Sequence, residues 1–320
     1  MFRFLVRRLL LAVLVMWMVS TATFLLFFVA PRNPAKTIAG QKATEQTVEI
    51  VRHRLGLDQP VIVQYGHYLG QLLHGDLGYS FFNNAPVTTL IEGGLQSTVS
   101  LVLGAAVLWT VAGVSVGVLS ATRARGALDR VSTMLALAGI SMPTFVLGLI
   151  LSFVFFFKFE QWGLPYLQAG GAAPDITTDP GFWLGRMILP WITLATISAA
   201  TYSRLTRSSL LDVLGEDYIR TARAKGLGER RVIYGHGLRS ALTPVLTQFG
   251  MDVGVELGGA VVTEQVFGLQ GVGQLVLQAS TNGDLPVVIG VVLLAAALVT
   301  VANLLVDIGY SFLDPRVRLS

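Results

Sequence analysis
Long apolar runs separated by polar stretches dominate the chain. Six of them cover residues 9–30, 97–122, 131–157, 187–207, 243–267 and 285–308. A helix that crosses a bilayer needs roughly 20 mostly apolar residues. The first three runs hold no charge, and the fourth holds none before Arg204; the fifth carries Asp252, Glu256 and Glu264, and the sixth Asp307. The pattern predicts an all-α polytopic membrane protein of six transmembrane helices, with both termini on one side. The run at 9–30 is longer than a signal-peptide core and no small-x-small site follows it, so it is expected to remain as the first helix. The expected organisation is an N-terminal segment and first helix (1–30), a loop or cap (31–95), a transmembrane core (96–311) and a tail (312–320).

The polar stretches differ in kind. Within 31–95, Leu57-Asp-Gln-Pro60 reads as a helix stop and turn, and 64–73 carries apolar residues at helical spacing. That cap serves either to cover the first helix or to dock an outside partner. Residues 158–186 are rich in Gly, Pro and Asp and are expected to be irregular. The segment 208–243 is long for a connection between spans. Its first half holds good helix formers interrupted only by Gly215, and Gly226 is placed to end that helix in a left-handed cap. Glu229 then suits the first turn of a second helix. Helix, elbow, helix is the expected form, with Arg220, Arg223, Lys225, Arg230 and Arg231 around the bend. Arginines on anionic lipid headgroups would explain the charge but not the bend.

Composition sharpens this. Only 13% of residues are charged and 53% are hydrophobic, against about 25% charged in a soluble domain. Sixteen of the 23 Lys and Arg residues fall on the side of the N-terminus, which the positive-inside rule assigns to the cytoplasm. The net charge of +4 is spread over loops rather than gathered in a patch, so nucleic acid is not an expected partner. The absence of cysteine excludes disulfides and thiol chemistry. No His-Glu-x-x-His occurs, the four histidines (His53, His67, His74, His236) lie outside the runs, and no catalytic or metal-binding residue is expected. No Gly-x-x-x-x-Gly-Lys-Ser/Thr loop is present, so ATP would have to be bound by another polypeptide.

Inside the runs, Asp252 and Glu256 are four apart and share one helix face. Ionisable residues at membrane depth are costly and mark a pathway or a structural partner. The two acids would line a pathway and attract a cation, or else bond to backbone or side chains of a partner membrane chain, or to Arg204 or Arg207. Glu264 is expected to be structural. Pro143 should kink the third helix, and Gly104, Gly113 and Gly117 suit close helix packing.

The elbow carries a family resemblance. Tyr218, Arg220, Ala222, Arg223, Ala224, Lys225, Gly226 and Leu227, followed by His236, Leu238, Arg239, Ala241, Leu242 and Pro244, resemble the peptide-permease variant of the EAA loop of ABC importer permeases. Gly56-Leu-Asp-Gln-Pro60, Gly75-Asp-Leu-Gly78, Ser141-x-Pro143-x-Phe145, Gly258-Gly-Ala-Val-Val262, Glu264-x-x-Phe267, Gly271-x-Gly273, Asp284-x-Pro286 and Leu313-Asp-Pro-Arg316 also resemble the B-type permease of dipeptide/oligopeptide importers. Gln270 stands where that family usually has proline. The resemblance implies a type I importer permease in a bacterial cell membrane. Its partners would be a second permease in a heterodimer, two cytoplasmic ATPases that bind ATP and Mg, an external substrate-binding protein and membrane lipid. It also implies that Arg220, Ala222, Arg223, Ala224, Lys225, Gly226, Leu227, Glu229 and Arg230 couple to the ATPases. A nickel or other small-solute importer remains open, as does a non-transporting membrane scaffold.

Overall fold
The computed structural model describes residues 2–30, 33–39, 44–54, 56–164, 179–258 and 260–313. Among these, five helices are long and apolar enough to cross a membrane: Val6–Val29, Val87–Thr122, Thr144–Gln161, Pro180–Leu214 and Leu285–Val306. A bent pair, Thr243–Leu257 and Val261–Phe267, adds a sixth crossing where it is taken as one span. By chain order the five are the first, second, third, fourth and sixth spans, and the bent pair is the fifth.

Two runs depart from continuous helices. The run 131–157 is divided between Ala127–Ser141 and Thr144–Gln161. Met142 and Pro143 between them are extended, with ψ of 122° and 137°. Proline disfavours helical backbone in the residue before it and cannot donate to the preceding turn, so Pro143 breaks the helix outright rather than kinking it. The run 243–267 breaks near Gly258, and its halves meet at 55°. Asp179 caps the fourth span by accepting from the Phe182 amide at 2.9 Å, so helix already occupies 180–186, where irregular chain was expected.

The second and fourth spans form the centre of the molecule. They run parallel and meet along a glycine stripe. A Cβ on Gly104 would fall 2.0 Å from the Trp191 ring, one on Gly113 2.5 Å from Tyr202 Cβ, and one on Gly117 2.6 Å from Thr206 Cβ. The backbones can approach this closely only because those side chains are absent. Trp191 then donates to the Ser100 carbonyl at 2.9 Å, and Trp109 and Tyr202 are wholly buried between the helices. The fifth and sixth spans use the same device: Gly250, Gly254 and Gly258 lie against Val306, Val299 and Ala295.

The segment before the second span forms a cap. It comprises the helices Pro34–Ala39, Glu45–Arg54 and Val61–Leu73 and a short hairpin pairing Tyr79–Ser80 with Ala85–Pro86. Gly56, at φ +60°, makes the turn expected at 57–60. Buried carboxylates rivet the cap end together. Asp284 accepts from Ser80 Oγ at 2.5 Å and from Asn83 Nδ2 at 3.0 Å, fixing the hairpin to the start of the last helix. Glu264 is wholly buried and accepts from Thr98 Oγ1 at 2.6 Å and the Gln274 amide at 2.8 Å. A Cβ on Gly271 would sit 2.3 Å from that carboxyl group, which is the physical reason for the Gly271-x-Gly273 pattern. Glu264 is thus structural, and its charge faces the N-terminus of Val272–Asn282, where a helix dipole favours it.

Candidate functional site
The elbow sits where the fourth span ends. Leu214 leads through Gly215 into the helix Asp217–Ala224. Gly226 follows at φ +77°, a left-handed geometry that costs glycine nothing. Its amide donates to the Arg223 carbonyl at 2.9 Å, and the Leu227 amide donates to the Ala222 carbonyl at 3.3 Å. This pair of bonds is the Schellman termination. Gly228 then opens a second helical stretch: a turn at Glu229–Arg231, a wide π turn at Val232–Gly237, and Leu238–Ala241.

The expected coupling residues divide by what they touch. Ala222 is buried with Ile219 and Val232, and Leu227 packs against this small core together with Val213 and Leu214 of the fourth span. Arg223 reaches across the bend to Glu229 in a two-pronged pair, Nη2 to Oε1 at 2.7 Å and Nε to Oε2 at 3.1 Å. The Arg223 guanidinium holds the Glu229 carboxyl below the usual carboxylate range, chiefly through that hydrogen bond. These two residues, 39% and 56% exposed, therefore brace the elbow across its surface. Arg220, Ala224, Lys225, Gly226 and Arg230 are exposed on its outside, Arg220 in a surface pair with Asp217 at 3.3 Å. Tyr218, the first residue of the motif, and Tyr234, which sequence reasoning did not single out, are 45% and 52% exposed and add aromatic surface. A sequence pattern marks an arginine as basic; it does not say which acid the guanidinium meets.

The elbow is anchored on two spans. Ile219, Ala222 and Val232 tie it to the fourth. Ala241 packs with Leu210 of the fourth span and with Val118 and Ala121 of the second. One turn away is a charged node that the sequence did not reveal. Asp129, 5% exposed, accepts from Arg207 Nε at 2.6 Å and Nη2 at 2.9 Å, from the Arg125 amide at 2.8 Å, and from the Ser120 hydroxyl. It joins the second span, the fourth span and Ala127–Ser141. A lone aspartate among arginines in a connecting loop carries no signal of burial.

Arg207 is therefore committed to Asp129, and the expected alternative of a bond to Asp252 or Glu256 is not made. Those two acids lie half-buried on one face of Thr243–Leu257, as their spacing required. Asp252 accepts from Gln248 Nε2 at 2.8 Å. The Tyr202 hydroxyl on the fourth span is buried and makes no hydrogen bond of good geometry. Gly113-Val-Ser-Val-Gly117 matches the Gly-x-Ser-x-Gly spelling of a hydrolase nucleophile turn. It lies mid-helix, however, with both glycines packed against the fourth span, and makes no strand-to-helix turn. Among the described residues no three His, Asp or Glu side chains are grouped to hold a metal ion.

Comparison with known proteins accounts for this arrangement. Residues 113–319 match the family described as binding-protein-dependent transport system inner membrane component, and residues 1–102 match its N-terminal counterpart. The chain is 40% identical to the probable peptide ABC transporter permease protein y4tP of Sinorhizobium fredii, over 98% of this chain and 99% of that one. It is 37% identical to the dipeptide transport system permease protein DppB of Alkalihalophilus pseudofirmus, over 99% and 100%. The glutathione transport system permease protein GsiC of Escherichia coli is also 37% identical, over 99% of each. Among solved structures, a chain of the MetNI methionine ABC transporter in an inward-facing conformation superposes with a TM-score of 0.52. It is 18% identical and covers 69% of this chain and 96% of that one, a likeness of fold alone.

Proposed function
The chain belongs to the family of binding-protein-dependent transport system inner membrane components, and from that membership we propose how its elbow and its fifth span serve the ATP-driven import of peptides. It is a multi-pass permease subunit of the inner membrane with the type I ABC importer permease fold. Peptides are its cargo class, in keeping with full-length relatives named for peptide, dipeptide and glutathione transport. The chain has no phosphate-binding loop, so ATP and Mg belong to partner subunits.

In this reading two ATPases sit on the cytoplasmic side, where sixteen of the 23 basic residues lie together with both termini. A cleft in one ATPase grips the outside of the elbow: Ala224, Lys225, Gly226, Arg230 and the rings of Tyr218 and Tyr234. Arg220 lies at the rim of that contact. Ala222, Arg223, Leu227 and Glu229 keep the elbow rigid behind it. The observation that carries the proposal is this brace. A bend closed by a Schellman cap and a two-pronged ion pair, rooted in the buried ends of two spans, moves as one body. ATP-driven closure of the ATPases displaces that body and with it the second, fourth and fifth spans, turning the pathway from inward- to outward-facing. Coupling of this kind requires contacts that differ between the two states.

A second, related permease completes the pathway, and an external binding protein delivers peptide to the cap side. Asp252 and Glu256 face that pathway and attract the peptide ammonium, a reading supported among the described residues by Asp252 bonding to Gln248 and Arg207 being taken up by Asp129. The test is purification of the tagged chain in mild detergent, with its companions identified by mass spectrometry. A second permease, ATPases and a peptide-binding protein are expected. A nickel-binding companion would change the cargo, and recovery of the chain alone, under conditions that preserve other transporters, would overturn the coupling.

A further inference from the structure
The cap helix Val61–Leu73 divides into three faces of different chemistry. Gln64, Tyr65, Tyr68 and Leu72 point to the protein. Tyr68 is 7% exposed and packs on Phe24 and Phe28 of the first span, at ring separations of 5.5 and 5.4 Å. Tyr65 stacks obliquely on Phe24 at 5.1 Å, and its hydroxyl lies 2.6 Å from Thr21 Oγ1. His67 and Gln71 form a second, polar and exposed face. The third face is apolar and bare: Ile62 is 81% exposed and Leu73 88%, with Gly66 and half-buried Leu69 between them on the same stripe. In water, a helix of 13 residues gains nothing by leaving two of its four leucine and isoleucine side chains outside.

Depth along the first span resolves this. The apolar span ends at Val29. Thr21 lies eight residues before that end, which at the rise of an α-helix is about 12 Å inside it. Phe24 and Phe28 are shallower, within about two turns of the end. The cap helix is therefore moored beside a stretch that is itself at bilayer depth. On the same stretch Leu25, Leu26 and Val29 are 50%, 63% and 43% exposed, so the part of the first span that moors the cap helix itself carries bare apolar surface at bilayer depth.

We propose that Val61–Leu73 is an interfacial helix, lying in the leaflet opposite the elbow with Ile62, Leu69 and Leu73 in acyl chains and His67 and Gln71 in the headgroup layer. One face on protein, one in hydrocarbon and one in water accounts for all three chemistries, as in an amphipathic helix lying at the membrane interface. The occupant of the bare stripe is phospholipid rather than a soluble domain. The helix makes this edge of the cap a float that holds the hairpin and first span at a set height in the membrane.

The chain contains no cysteine, so single nitroxide labels can be placed without removing any native residue. Ile62→Cys, Leu73→Cys, His67→Cys and Gln71→Cys are each labelled in the full chain in phosphatidylglycerol–phosphatidylethanolamine nanodiscs. Collision with dissolved oxygen and with a water-soluble nickel chelate is measured by electron paramagnetic resonance. Labels at 62 and 73 should collide more with oxygen and less with nickel than those at 67 and 71. Equal nickel access at all four sites would place the stripe in water and overturn the proposal. Labels at 62 and 73 that are immobilised and shielded from both agents would mean that protein covers the stripe, and would overturn it as well. None of these outcomes depends on what the permease transports.

Discussion

Substituting alanine for Gly226 separates the backbone geometry of the elbow from its contacts. Gly226 stands at φ +77°, and a Cβ there would meet nothing within 4 Å. No clash contributes, so the whole effect is the cost of holding an ordinary L-residue left-handed, about 1–2 kcal/mol. A free elbow relieves that strain by opening its cap; an elbow seated in the ATPase cleft cannot. Binding of the ATPase should therefore weaken by up to about 5–30-fold, the factor that one or two kcal/mol represents. Gly226→Asn should lie close to wild type, since asparagine tolerates the left-handed region. Gly226→Pro should abolish binding, because proline fixes φ near −65° and lacks the amide that donates to Arg223. The assay is titration of the detergent-purified permease with its ATPase subunits, paired with uptake of a labelled dipeptide in cells. Full binding and uptake by Gly226→Ala would refute the reasoning. So would Gly226→Asn proving as damaging as alanine, since the order Gly, Asn, Ala, Pro follows only if the left-handed cap persists in the engaged state.

Other expectations concern the brace, the rivets and the pathway. Arg223→Glu and Glu229→Arg should each reduce uptake, and the double exchange should restore much of it. Lys225→Glu, which has no partner across the bend, should not be rescued by any change at Glu229; failure of the exchange to rescue would mean that Arg223 contacts the ATPase directly. Gly271→Ala must push the buried Glu264 carboxylate off Thr98 and the Gln274 amide. Overpacking of this kind should destabilise the chain by about 1–3 kcal/mol, visible as a fall in the melting temperature of the purified protein, while Gly268→Asn, at a left-handed position, should be mild. Asp252→Asn with Glu256→Gln should raise the KM for peptide uptake without altering the amount of protein in the membrane; unchanged affinity and rate would leave the pair with a packing role only.

Much of this was legible in the order of residues, for reasons that can be named. Apolar runs report membrane crossing because the bilayer excludes charge over a fixed thickness. Gly226 reported the elbow because few residue types besides glycine are comfortable at its φ. Gly104, Gly113 and Gly117 reported helix contact because a missing side chain has few other uses in a span. The break at Gly258 was less legible, since paired glycines inside an apolar run serve packing as readily as a bend, and here Gly258 does both. Partner choice was hidden. Arg207 could have met any of several acids, and Asp129, far off in sequence, takes it through fold geometry that no local pattern encodes. The pairing of Arg223 with Glu229 was hidden in the same way, and the bare stripe of Val61–Leu73 was invisible because exposure is a property of what the rest of the chain fails to cover.

The parallel pairing of the second and fourth spans has a mechanical consequence. These helices are 36 and 35 residues long without a break, so each is a rod of about 50 Å at 1.5 Å per residue, well beyond the thickness of the hydrocarbon. Zipped at three glycines and bolted at one end by Asp129 and Arg207, they act as a single stiff lever pivoting near the elbow. A tilt of about 5° at that end carries the far tips sideways by about 4 Å, simply from the length of the rods. The fifth span, jointed near Gly258, has a place to fold while the lever swings. Length and stiffness alone thus convert a small push on a surface turn into a displacement comparable to the width of a peptide backbone on the opposite side of the membrane.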